Sequence, residues 1–90
     1  MGIFDDEYME VADLLKALAH PVRLRIITIL KKGSMCVGEF EKELKLKQAS
    51  VSQHLAILRN KGLIKPFRDG KRICYNLNRD RLKKVLKILS

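Results

Sequence analysis

Apolar residues along the chain keep two rhythms. Tyr8, Val11, Leu15 and Leu18 recur every three or four positions, and Leu24, Ile27 and Leu30 resume the spacing after His20-Pro21. That period places them on one stripe of a helix. Asp5, Asp6 and Glu7 suit the start of a first helix, where acids oppose the macrodipole, and Pro21 suits the first turn of a second. Lys31-Lys32-Gly33 supplies a basic last turn and a glycine stop. Ser34 to Val37 is long enough only for a bridge strand, and Gly38 to Lys45 reads as a short helix with Phe40 and Leu44 inward. Val51, Leu55 and Leu58 define a fourth helix, from about Gln48 to Asn60, stopped by Gly62. The period then changes to two. Leu63–Arg68 and Lys71–Leu77 alternate around Asp69-Gly70, a strong hairpin signal. Ile73, Tyr75 and Leu77 share one face of the second strand; Arg72, Cys74 and Asn76 share the other. Leu82, Val85, Leu86 and Leu89 stripe a final helix over about 79–89. The pattern predicts a single mainly α domain over residues 1–90, in the order α-α-β-α-α-β-β-α, with a small β-hairpin.

The fourth helix has two unlike sides. Its apolar stripe can clamp it to the domain. Gln48, Ala49, Ser50, Ser52 and Gln53 crowd small and hydrogen-bonding groups into its first turns. Such a surface fits a major groove and reaches base edges. The charge supports this. The chain carries a net +9, yet residues 1–20 are net −4 and residues 47–72 net +6. The densest positive segment thus coincides with this helix and the hairpin, as expected of a phosphate-binding surface. Nearly half the residues are hydrophobic, so the chain should fold. No apolar run approaches the ~20 residues of a membrane span, and the first residues, from Met1, lack a basic leader. The expectation is a soluble, cytoplasmic protein without membrane association. No nucleophile–base pair or phosphate-cradling loop is visible, which argues against an enzyme.

The element order is that of a winged helix-turn-helix, with the helix pair at about 38–60 and the wing at about 63–77. Three phrases carry a family resemblance. Leu18-Ala19-His20-Pro21-Val22-Arg23-Leu24-Arg25-Ile26-Ile27, Gln48 to Arg59 (with Val51-Ser52-Gln53-His54-Leu55), and Gly62-Leu63-Ile64 with Arg68-Asp69-Gly70-Lys71-Arg72 and Tyr75 resemble the signature segments of the ArsR/SmtB repressors. The resemblance implies a dimeric repressor on a palindromic double-stranded DNA operator. Carried over position by position, it turns Lys47, Gln48, Ala49, Ser50, Ser52, Gln53 and His54 toward bases and nearby phosphates. Arg68, Lys71 and Arg72 would lie along the flanking backbone or minor groove. His54, beside the apolar stripe, has an equal claim to a structural role. Arg59, near the helix end, suits an ion pair or a phosphate better than a base.

The first helix (about 5–18) is acidic, the last is basic, and both carry apolar stripes. The last stripe can pack back on its own chain, but opposite charge around an apolar seam fixes partner and register, so Tyr8, Val11, Leu15, Leu82, Val85, Leu86 and Leu89 are expected to join two copies. Where the resembling family has Cys-Val-Cys-Asp as a metal site, this chain has Cys36-Val37-Gly38-Glu39. The last helix has no histidine, so neither a metal nor another cofactor is expected. In the resembled fold the short strand pairs with the second wing strand, which puts Cys36 and Cys74 on one outward face, within reach of a disulfide. Ordinary packing thiols, a redox-responsive pair and a static disulfide all fit. A winged-helix module that binds protein, without specific DNA readout, is the rival function. The inducer does not follow from the sequence.

Overall fold

The computed structural model describes residues 5–90. The leader expectation at Met1–Phe4 lies outside them. Helix α1 spans Asp6–Leu18, begun by Asp5, whose carboxylate accepts from the Glu7 amide at 2.9 Å. Helix α2 (Pro21–Leu30) is capped by a ring instead: His20 Nδ1 accepts from the Val22 amide at 3.1 Å. Strand β1 is only Met35–Cys36, and α3 (Val37–Leu44) starts directly from it, one residue before the expected Gly38. The Glu39 side chain explains the early start, since Oε1 accepts from the Cys36 amide at 3.1 Å and closes the first turn. Lys45, left-handed at φ 55°, turns the chain into α4, Gln48–Asn60, as expected.

Strands β2 (Ile64–Asp69) and β3 (Arg72–Leu77) form the hairpin, and β1 joins it in the antiparallel order β1-β3-β2. Asp69 pairs with Arg72, so the two-residue turn is Gly70-Lys71, one step beyond the expected Asp69-Gly70. Two-residue hairpin turns need a positive φ at their first position, which Gly70 supplies at 64°. Helix α5 covers Arg79–Leu89, again as expected. Its cap, Asn78, also donates from Nδ2 to the Gly62 carbonyl at 2.7 Å, tying the helix to the turn after α4.

The core lies where α2, α3 and α4 meet the base of the wing. Phe40, Ile26, Leu30, Val51, Leu55, Leu58, Leu63 and Ile64 are all sealed there. Helix α1 adds Val11, Leu14, Ala17 and Leu18, and α5 adds Val85. This corrects two interface expectations: Val11 and Val85, each 3% exposed, are consumed inside one chain. The stripes of α1 and α5 pack inward first, because so small a domain has few other apolar faces to cover them. Tyr8, Leu15, Leu86 and Leu89 remain exposed, and Leu82 is half-buried.

Candidate nucleic-acid interface

With Val51, Leu55 and Leu58 sealed, α4 presents the rest of its circumference in three strips. Gln48, Ser52 and Arg59 occupy one flank and line a groove of about 760 Å³ between α3, α4 and the wing. Lys71 and Arg72 line the same groove from the hairpin. Ala49 and Gln53 form the outermost strip, both exposed, and Lys47 is exposed at the helix start. Ser50 and His54 lie on the far flank, half-buried. Arg68 is exposed on β2 and does not line the groove. The fold thus brings Gln48, Ser52, Arg59, Lys71 and Arg72 into one concave surface and sets Gln53 on its adjoining ridge.

Two residues have contacts that the sequence did not reveal. Arg23 Nη1 donates to His54 Nδ1 at 3.3 Å, and the His20 and His54 rings lie 4.5 Å apart. His54 therefore faces α2. Burial, then the neighbouring His20 and Arg23, hold its pKa below the ordinary imidazole value. Arg72 Nη2 donates to Asp69 at 2.8 Å, with Glu39 at 3.8 Å from Nη1. The Asp69 hydrogen bond and charge, helped by Glu39, raise the Arg72 pKa. Both contacts lie at the surface, and the Arg72 side chain stays exposed at the edge of the groove.

The Tyr75 hydroxyl, which accepts from Arg59 Nη1 at 3.3 Å, and Lys42 on α3 also belong to the groove. Sequence reasoning missed both. The sequence places Tyr75 only on a strand face and in the wing phrase and does not single out Lys42; only the folded approach of α3 to the wing gives them a place in the groove.

Cys36 and Cys74 are opposed in register, and a disulfide joins them. They share the face of the sheet away from Met35 and Tyr75, as the alternation of strand side chains requires. They do not face solvent, which corrects the expected outward pair: Cys36 is 6% exposed and Cys74 is 0%. Phe67, opposite Cys74 in register and on the same face, helps to cover the pair.

Residues 20–65 match the profile of a family described as bacterial regulatory protein, arsR family. The biofilm growth-associated repressor of Agrobacterium fabrum is 41% identical over 80 residues, covering 89% of this chain and 68% of that one. The chain belongs to the arsR family. The transcriptional repressor PagR of Bacillus anthracis is 39% identical over 97 residues, which cover all of this chain and 97% of PagR. Among solved structures, reduced HlyU from Vibrio cholerae superposes with a TM-score of 0.82 at 31% identity, covering 96% of this chain and 93% of HlyU. The chain spans 60–68% of the length of the biofilm growth-associated repressors it matches. The arsR-family segment takes in α2, α3 and α4, and the last two of these carry most of the groove. Among the described residues there is no helix long and apolar enough to cross a membrane, and no group of three or more His, Cys, Asp or Glu that could hold a metal.

Proposed function

We propose that this arsR-family regulator binds double-stranded DNA sequence-specifically as a homodimeric repressor in the cytoplasm. The supporting observation is the division of α4. Its apolar stripe is sealed, while Gln48, Ser52 and Gln53 are exposed on the side that continues into the cationic groove. Amides and hydroxyls read base edges; Lys47, Lys71, Arg59 and Arg68 neutralise phosphate and set the register. Ala49 allows close approach, and Ser50 contributes at the margin. His54 supports α4 from behind rather than reading bases. Two copies meet through Tyr8, Leu15, Leu82, Leu86 and Leu89. They present two α4 helices to half-sites about 34–36 Å apart on a palindromic operator. Cytosolic disulfides are usually transient, catalytic or redox-sensing, so Cys36–Cys74 adds a thiol response to this reading.

Selection of bound duplexes from a random pool tests it. A palindromic consensus is expected, with affinity falling steeply as salt rises. Weak, sequence-blind binding by a protein that captures another polypeptide through residues 48–53 would favour the interaction-module reading instead.

A further inference from the structure

The disulfide has a covered side and an open side. Cys74 is fully sealed, with Phe67 opposite it in register. Cys36 is not quite closed off, and it forms part of the wall of the groove shared by Gln48, Ser52, Arg59, Lys71 and Arg72. The smaller cavity behind β1, lined by Arg25, Ile29, Lys32 and Met35, touches neither cysteine. A reagent reaching the pair through the groove therefore meets Cys36 first, between α3 and the wing.

We propose that bound DNA closes this approach, so that the Cys36–Cys74 disulfide exchanges with thiols only while the protein is off DNA, and always by attack at Cys36. The proposal rests on the DNA-binding reading above, because the same groove serves both visitors. The chemistry needs a small-molecule thiol as reductant. Its thiolate attacks Cys36 Sγ; a new reagent–Cys36 bond forms, the Cys36–Cys74 bond breaks, and Cys74 leaves as the thiolate. A second reagent thiolate attacks the reagent sulfur of that mixed disulfide, releasing the Cys36 thiolate and the oxidised reagent. Two thiols lose two electrons and one protein disulfide gains them.

When binding and release are fast beside reduction, the observed rate follows the unbound fraction. At about 95% occupancy it drops about 20-fold. The redox signal is then read by the free pool, and an occupied operator holds its repressor in the state in which it bound.

The test uses the whole oxidised protein and a duplex recovered from the random pool, with occupancy read by fluorescence anisotropy. Dithiothreitol is the reductant, because an uncharged thiol is not repelled by DNA phosphates. Freed thiols are quenched and alkylated at timed intervals. The expected result is reduction slowed in proportion to occupancy, with no slowing by a scrambled duplex at a concentration that leaves the protein unbound. An undiminished rate on a saturated operator overturns the gate while leaving DNA binding intact. Failure of both the oxidised and the reduced protein to bind any selected duplex overturns the functional reading and the gate together, whereas loss of binding by the oxidised protein alone overturns the gate and leaves DNA binding by the reduced protein intact. The attack site is read separately: 2-mercaptoethanol adducts trapped in the free protein should map to Cys36, and adducts on Cys74 overturn the assignment.

Discussion

His54 shows how far a single side chain can depart from its place in a motif. The Arg23 guanidinium only donates, so the ring nitrogen facing it, Nδ1, must accept, and the proton sits on Nε2. Adding a second proton would place a cation beside Arg23 in a half-buried site. The unfolded chain takes up that proton near pH 6.5, whereas the folded chain resists until lower pH. In between, the unfolded state binds more protons, so stability falls as the solution is acidified below about pH 6.5. Urea midpoints between pH 7.5 and 5.5 should show this decline, and His54→Gln should flatten it. The lowered pKa values of Glu10 and Asp13, set chiefly by Lys84 and Lys61, act in the more acidic carboxylate range and leave this window clear. Gln53 and Lys71 separate readout from attraction. Gln53→Ala should cost about 1–3 kcal/mol of discrimination between operator and scrambled DNA. Lys71→Ala should weaken both alike and reduce the salt slope by about one. Titrations on the two duplexes at several salt concentrations decide this, and equal losses from the two substitutions would refute the division. The sequence could place His54 at the margin of the apolar stripe, but not name its neighbour, because Arg23 arrives from another helix. Likewise strand alternation put both cysteines on one side, while their cover depends on β2 lying alongside β3.

Elements were more legible than single contacts. Helical period and capping residues located α1, α2, α4 and α5, and the change to alternation located the hairpin. Errors fell at α3, whose first turn is closed by a side chain reaching back to Cys36, and at the wing turn, where the position of the glycine outweighed the Asp-Gly pair. The turn after α4 is a sharper demand. Gly62 sits at φ +73°, and a Cβ there would lie 3.1 Å from the Arg81 guanidinium. Gly62→Ala should therefore cost about 1–3 kcal/mol in denaturant unfolding and loosen α5, whose cap Asn78 bonds the Gly62 carbonyl. The staple between β1 and β3 spans 38 residues of sequence. In a chain-entropy account, losing it through Cys74→Ser lowers stability by about 3–4 kcal/mol under oxidising conditions. Once both proteins are reduced only the cost of burying a serine hydroxyl in place of the Cys74 thiol, about 1–3 kcal/mol, should remain, which parallel denaturation with and without dithiothreitol would check.

At the scale of the molecule, the apolar residues left uncovered point to what lies beyond one chain. Leu86 and Leu89, 59% and 66% exposed at the end of α5, have no place in the core. Replacing both by lysine should preserve the helical content of the fold while shifting sedimentation from dimer to monomer and removing any concentration dependence of the thermal transition; a dimer that persists would move the interface elsewhere. Val11→Ala is the contrasting change, expected to cost about 1–3 kcal/mol of fold stability because its side chain is interior. This distinction was invisible in the sequence, where all seven interface candidates shared the same stripes. The ion pairs of α1 have a different reach. Glu10 binds Arg81 at 2.6 Å and Lys84 at 3.0 Å, and Asp13 binds Lys61 at 2.6 Å. Three cations are thereby muted near the acidic helix, and the groove stays positive. Lys42, Arg59, Lys71 and Arg72 outnumber Glu39 and Glu41 in the groove lining, so the field of a duplex favours approach on that face. Charge changes on the outer side of α1 then alter how often encounters succeed, and leave the lifetime of the complex nearly untouched.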